Sequence, residues 1–367
     1  MVKNWKLWLG FAISAVALVL TFRDIQLDQF LNQLSRAHIE WLLPGFIAFL
    51  ATLAFRTWRW SVMLDFTPFW TTFYALNIGY LLNMTLPLRL GEIGRAFVIS
   101  ERTDVRMARA LSTVVVERML DLASVVLMFV VFAQFIPMPP VFAQAAFIGG
   151  AIVVALLAAF GLMIWQSARV ERALTALSRR IPKLPTEMLL HWFRDIRDGF
   201  RLIGTPRKLA LVALTTVGVW ATNLFVSYFT MAAFMPASLD QAGLVMVMAN
   251  LGGALPSAPG GIGVVQGFAR ESLVIPFGID KNVAVAFAFV WSLWQQLALI
   301  VLGLFSLAQV GLSFAKVARG SQQAGRAAPD NADSADRPDS ADRADSASLT
   351  DSPAARGEPG AERIKTE

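Results

Sequence analysis

Cysteine is absent from the chain, and histidine occurs only at His38 and His191. The first absence excludes disulfides, thiolate nucleophiles and cysteine-held metals. The second excludes a His-rich metal centre, so no metal and no cofactor is expected. No G-x-x-x-x-G-K-[ST] string occurs either, which argues against ATP drive by this chain. Charge is scarce, at 16% of residues, and is missing altogether from residues 141–165, 209–239 and 283–315. A helix needs about 20 mostly apolar residues to cross the hydrocarbon core. With 56% hydrophobic residues, against about 45–50% in soluble domains, the sequence reads as an all-α polytopic membrane protein. No small-residue cleavage site precedes Phe22, so the first apolar run reads as a retained anchor.

The chain divides by composition. Residues 1–315 form the membrane domain. Residues 316–367 are rich in Ala, Asp, Ser, Arg, Pro and Gly, with ADSADR-like units, and lack the apolar surface that offsets ordering entropy. This segment is expected to be a disordered cytoplasmic tail. It holds eight basic and ten acidic residues, so the net charge of +6 leaves +8 on the membrane part. That charge is concentrated in residues 89–109, with five arginines, and residues 166–208, with ten Lys or Arg against four acids. Connections 134–142 and 232–242 hold no Lys or Arg. The positive-inside rule places the first pair in the cytoplasm and the second outside, with Lys3, Lys6, Lys316 and Arg319 holding both termini inside. Within 166–208, residues 187–203 form a basic amphipathic pattern. It suits a helix lying in the membrane surface or one packed on the bundle.

Counting spans under this rule gives full crossings at 7–22, 41–55, 111–135, 141–165, 209–235 and 283–315, about six in all. Residues 69–88, followed by the Arg-rich 89–109, then begin and end inside, and 241–277 begin and end outside, so each is expected to be a re-entrant helical hairpin. Pro87, Gly91 and Gly94 supply one break and the LPSAPGGIG string the other. A second topology reverses the first two spans and makes 69–88 a full crossing, but it leaves Lys3 and Lys6 outside. The two breaks resemble each other. LPLRLGEIG at 86–94 and LPSAPGGIG at 255–263 share Leu-Pro-x-x-x-Gly-x-Ile-Gly, on segments entering from opposite faces. Chance and an inverted repeat both produce such a match; its position favours the repeat, a fold that puts its substrate site near the midplane.

Three motifs in order carry a family resemblance: Asn83, Pro87, Arg89, Gly91, Glu92 and Arg95; VVVERMLD at 114–121; and PSAPGGIGVVQG at 256–267. Together they resemble the flippase-like integral membrane family, also called the lysylphosphatidylglycerol synthase transmembrane-region family. The resemblance covers roughly residues 5–315. It implies a lipid-translocating or lipid-binding protein of a bacterial or archaeal inner membrane; a bacterial inner (plasma) membrane is the localisation expected here. Some members carry a soluble aminoacyl-transferase domain; only the short tail follows the last span here, so lysyl transfer is not expected. Relatives often have an acid at the position of Gln266, and its absence weighs against the coupling role such an acid would play.

Three clusters are candidate functional residues. Arg89, Glu92 and Arg95, with Asn83, are spaced to share a helical face at a hairpin tip, where arginine forks suit a lipid phosphate. The plainer reading is a cytoplasmic basic loop. Glu117, Arg118 and Asp121 interrupt an apolar helix. Two carboxylates one turn apart need a proton or a cation such as Arg89 or Arg95, which makes them either a charge relay or an ion-pair lock. Pro259, Gly260 and Gly261, with Pro256 and Gly263, break the second hairpin, where a half-helix starting near Gly261 would aim free N–H groups at an anion. A structural kink is the alternative. Arg270 and Glu271 read as an interfacial anchor, and Asn250, Gln295 and Gln296 as interhelical hydrogen-bond glue.

The expected function is transport or binding of a phosphate-bearing anionic lipid or polyprenyl-phosphate-linked lipid. Membrane lipids are the expected partners, and nucleic acid is not. An enzyme is not expected, since the sequence has no Asp-x-Asp metal pair, His cluster or long external catalytic loop. A non-transporting subunit or scaffold of an envelope lipid or polysaccharide pathway is the alternative.

Overall fold

The computed structural model describes residues 5–23, 25–86, 90–134, 205–255 and 257–321, with isolated positions between 151 and 175. The described elements are all helical: α1 (Trp5–Phe22), α2 (Leu27–Ser35), α3 (Leu42–Met63), α4 (Phe69–Thr85), α5 (Gly91–Arg102), α6 (Met107–Ala133), α7 (Pro206–Ala232), α8 (Leu239–Ala254), α9 (Val264–Phe277) and α10 (Lys281–Val310). Short 3-10 turns occupy Ile39–Trp41 and Pro259–Gly261, and a last helix, α11, occupies 314–321. Helix ends follow local chemistry. α7 opens on Thr205 with Pro206 in its first turn. The Asp280 carboxylate at the start of α10 accepts from the N–H groups of Asn282 and Val283. Gly311, with φ 63°, closes that helix in the left-handed region.

Both expected hairpins are present. α4 and α5 fold back on each other so closely that a Cβ on Gly91 would lie 1.9 Å from the carbonyl oxygen of Gly79. Only glycine permits that approach. In the second hairpin, Gly252 of α8 faces the ring of Phe268 on α9. The arms have 17, 12, 16 and 14 residues. At about 1.5 Å per residue none reaches the roughly 30 Å of a hydrocarbon core.

Three helical segments are long and apolar enough to span: Ile39–Met63, Pro206–Ala232 and Lys281–Val310. The first contains the expected crossing at 41–55, and the other two overlap those at 209–235 and 283–315 but end at Ala232 and Val310. Gly10–Phe22 with Leu27–Ser35 makes a fourth if counted as one span bent by 84°. α6 is 27 residues long, but Glu117, Arg118 and Asp121 interrupt its apolar run. The sixth expected crossing, 141–165, lies outside the described residues, as does the amphipathic segment 187–203.

The long helices pack in reciprocal pairs. α3 and α7 run antiparallel: Gly45 meets Thr230, the Thr52 hydroxyl donates to that of Thr222 at 2.8 Å, and Gly218 meets Phe55. α4 packs against α10, where Gly303 sits on Asn77 and Leu81. α8 packs against α6, where Gly243 sits on the Phe132 ring. The two breaks begin at Leu86 and Leu255, 169 residues apart. The same interval carries Phe69–Thr85 of α4 onto 238–254, within one residue of α8. It also exchanges the α4–α10 and α6–α8 contacts.

The expected tail boundary at Lys316 falls inside an ordered helix. Val317 and Ser321 of α11 are fully buried. Val317 joins a core with Val98, Ile99, Leu307 and Val310, and Lys316 pairs with Glu101 at 3.0 Å. Residues 316–321 therefore belong to the packed part of the molecule; the rest of the tail lies outside the described residues.

Candidate functional site: a buried charge network

Three helices converge their charges on one another. The last turns of α3 supply Arg56 and Arg59, the first turns of α5 supply Glu92 and Arg95, and the middle of α6 supplies Glu117, Arg118 and Asp121. Spacings of three and four residues put each set on one helical face. Glu117 is the hub. Its Oε1 accepts from Arg59 at 2.9 Å and its Oε2 lies 2.8 Å from Arg95, with both Arg59 and Glu117 fully buried. A second nitrogen of Arg59 reaches Asp121 at 2.8 Å. Arg56 lies 3.6 Å from Asp121. Arg118 faces three acids, Glu92 at 3.5 Å, Asp121 at 3.6 Å and Glu117 at 3.7 Å.

Burying ions is costly unless each is paired and hydrogen-bonded. The innermost group meets that requirement in part: Glu117 has an arginine paired to each oxygen, but only the Arg59 contact is also a hydrogen bond. Arg95 is further fixed by Trp60, whose ring lies 4.7 Å below its guanidinium. The fully buried Trp60 indole N–H donates in turn to the Thr113 hydroxyl at 3.0 Å. Four arginines face three carboxylates here, so the network carries one excess positive charge.

The expected residues fare differently. Glu92, Arg95, Glu117, Arg118 and Asp121 do come together, and Arg95 is the hairpin cation that approaches the α6 carboxylates. Asn83 serves the hairpin itself: its side-chain oxygen accepts from the Gly91 N–H at 2.8 Å. Arg89 lies outside the described residues. Arg95 departs from the reading of a free phosphate fork, because Glu117 and Trp60 already engage it.

The second break departs too. Pro259–Gly261 packs near α4, but among the described residues no hydrogen bond or ion pair joins it to the charge network. α9 begins at Val264 rather than near Gly261. The Gly261 N–H donates to Ala258 at 2.9 Å and the Gly263 N–H to the Gln266 side chain at 2.7 Å. Neither N–H is open to an anion, so this tip is a kink held by its own bonds. Gln266 also donates to Ser292 at 2.6 Å, and Gln296 donates to the Gly260 carbonyl at 3.3 Å. An amide at 266 can accept and donate at once, which explains why glutamine fits here.

Sequence reasoning missed Arg56, Arg59, Trp60 and Thr113. Arg56 and Arg59 look like the basic end of a span. The available signal was their i,i+3 spacing, which matches that of Arg118 and Asp121.

Residues 7–303 match the family described as Lysylphosphatidylglycerol synthase TM region. The chain belongs to that family. Its charge network and both hairpins lie inside the matched span. A UPF0104 membrane protein of Methanothermobacter thermautotrophicus (strain Delta H) is 24% identical over 282 residues, covering 71% of this chain and 82% of that protein. No solved structure matches.

Proposed function

We propose that this member of the lysylphosphatidylglycerol synthase TM region family binds a phosphate-bearing anionic lipid at the charge network and moves it between leaflets. The observation that carries the reading is the excess arginine: a network of four guanidiniums and three carboxylates, buried at Arg59, Arg95 and Glu117 and open at Arg118, is short of one anion. Guanidinium is the side chain best matched to phosphate oxygens. The reading involves no covalent change to the lipid. It places the chain in a bacterial inner membrane with both termini cytoplasmic, so the network faces the cytoplasmic leaflet.

The reciprocal packing supports an inverted repeat of α3–α6 and α7–α10. A two-fold axis relating antiparallel α3 and α7 must run across those helices rather than along them, which is the in-plane axis of an inverted repeat. The charge does not follow the symmetry. At the 169-residue interval, Arg59 maps onto Tyr228, Glu117 onto Ala286 and Asp121 onto Val290. One face thus binds a head group strongly and the other weakly, a gradient suited to capture and release.

Lipid mass spectrometry on the purified protein tests this. Selective enrichment of a phosphate-bearing lipid, lost in Arg59→Ala/Arg118→Ala, is expected. A bulk-membrane lipid profile in both proteins would remove the basis for the reading.

A further inference from the structure

Arg118 stands apart from its neighbours. Arg59 and Arg95 lie within 2.9 Å of carboxylate oxygens and are buried. Arg118 comes no nearer than 3.5 Å to any of its three acids, beyond a good N–H···O bond, and its side chain is 41% exposed. Two of those acids already have closer ion-pair partners: Glu117 has Arg59 and Arg95, and Asp121 has Arg59 with Arg56 beside it. Glu92 is different. Its ion pair within the network is the 3.5 Å contact to Arg118, and its side chain is 29% exposed.

From this geometry we infer that Arg118 is the residue that receives the head-group phosphate, and that Glu92 is an internal placeholder which the phosphate displaces. The inference rests on the function proposed above and assigns its residues. Arg118 has a planar fork of donors with no close partner and an open side. Glu92 is its nearest but least buried counter-ion and sits in the first turn of the 12-residue arm α5, where a carboxylate is replaceable by another anion without uncovering a buried charge. Arg95 is a positioning residue: it ties α5 to α6 through Glu117 and so sets how near Glu92 stands to Arg118. The ligand chemistry is a phosphate monoester or diester anion, and its source is a lipid.

Charge accounting gives opposite signs for two substitutions in one contact. Glu92→Gln removes the competitor and raises the network to two excess positive charges. Arg118→Gln removes the acceptor and leaves the network neutral. The experiment uses the full chain in nanodiscs of phosphatidylcholine with graded phosphatidylglycerol, reading bound phosphatidylglycerol by native mass spectrometry. Glu92→Gln is expected to tighten binding by about 3- to 10-fold, the size of a loose ion pair. Glu92→Asp, which keeps the charge but withdraws it by one methylene, is expected to fall between it and the natural chain. Arg118→Gln is expected to weaken binding by about 10-fold or more, with partial rescue by Arg118→Lys. Thermal unfolding accompanies each variant; if Glu92→Gln does not fold, Glu92→Asp decides the sign. Weaker binding in the folded Glu92 variants, or unchanged binding in Arg118→Gln, overturns the inference and leaves the function standing. No phosphatidylglycerol above the nanodisc background in the natural chain overturns the function itself. Displacement of bound lipid by inorganic phosphate at equal concentration overturns the lipid source.

Discussion

Arg59 of α3 donates to Glu117 of α6 at 2.9 Å, and both side chains are fully sealed from the surroundings. These residues are 58 positions apart in the chain. Their contact closes the first half of the bundle around an ionic centre rather than an apolar one.

Removing one member leaves the other charged and buried. Glu117→Leu leaves Arg95 without its carboxylate and Arg59 with Asp121 alone, and is expected to cost about 3–5 kcal/mol. Arg59→Leu/Glu117→Leu, which removes both ions, is expected to recover part of that loss. Thermal unfolding in one detergent compares the three proteins.

Trp60 and Thr113 hold Arg95 from below. Trp60→Phe keeps an aromatic face but loses the indole N–H bond to Thr113, and about 1–2 kcal/mol of stability is expected to go with it. Thr113→Val breaks the same bond. The two substitutions together are expected to cost less than their sum, which a double-mutant cycle measures.

How much of this was legible follows from where each signal lives. The hairpins could be read because proline and glycine mark a break locally between two apolar runs. The α6 acids could be read because a carboxylate inside an apolar helix is conspicuous in one dimension. Arg56 and Arg59 could not be assigned, because nothing local distinguishes a span-ending arginine from one that turns inward to an acid on another helix. Whether the glycine break at 259–263 opens N–H groups to an anion or forms a kink was left open for a related reason. The Gly261 and Gly263 N–H groups are taken by Ala258 and Gln266 through a loop geometry that spacing does not encode.

Glycine positions separate close approach from backbone conformation. Gly91→Ala drives a Cβ into the Gly79 carbonyl and is expected to prevent the first hairpin from closing, read as loss of folded protein. Gly278→Ala meets nothing within 4 Å, and only its φ of 63° resists the side chain. It is expected to cost about 1–2 kcal/mol and leave a folded protein.

The antiparallel contact of the two halves offers a cross-link on a cysteine-free background. Thr52→Cys/Thr222→Cys joins α3 to α7 where the hydroxyls now meet at 2.8 Å. With a protease site inserted near residue 185, the oxidised double variant is expected to stay one band after cleavage and to separate on reduction. Separation before reduction contradicts the antiparallel register.

The most direct test of the central claim is transbilayer movement in proteoliposomes. Purified protein is reconstituted with a head-group-labelled phosphatidylglycerol whose outer-leaflet fraction is bleached by an impermeant reductant. The account predicts that the bleached fraction rises from about half toward completion with the natural chain, and stays at half with Arg118→Gln. Equal bleaching with the natural chain, the variant and empty liposomes would contradict it.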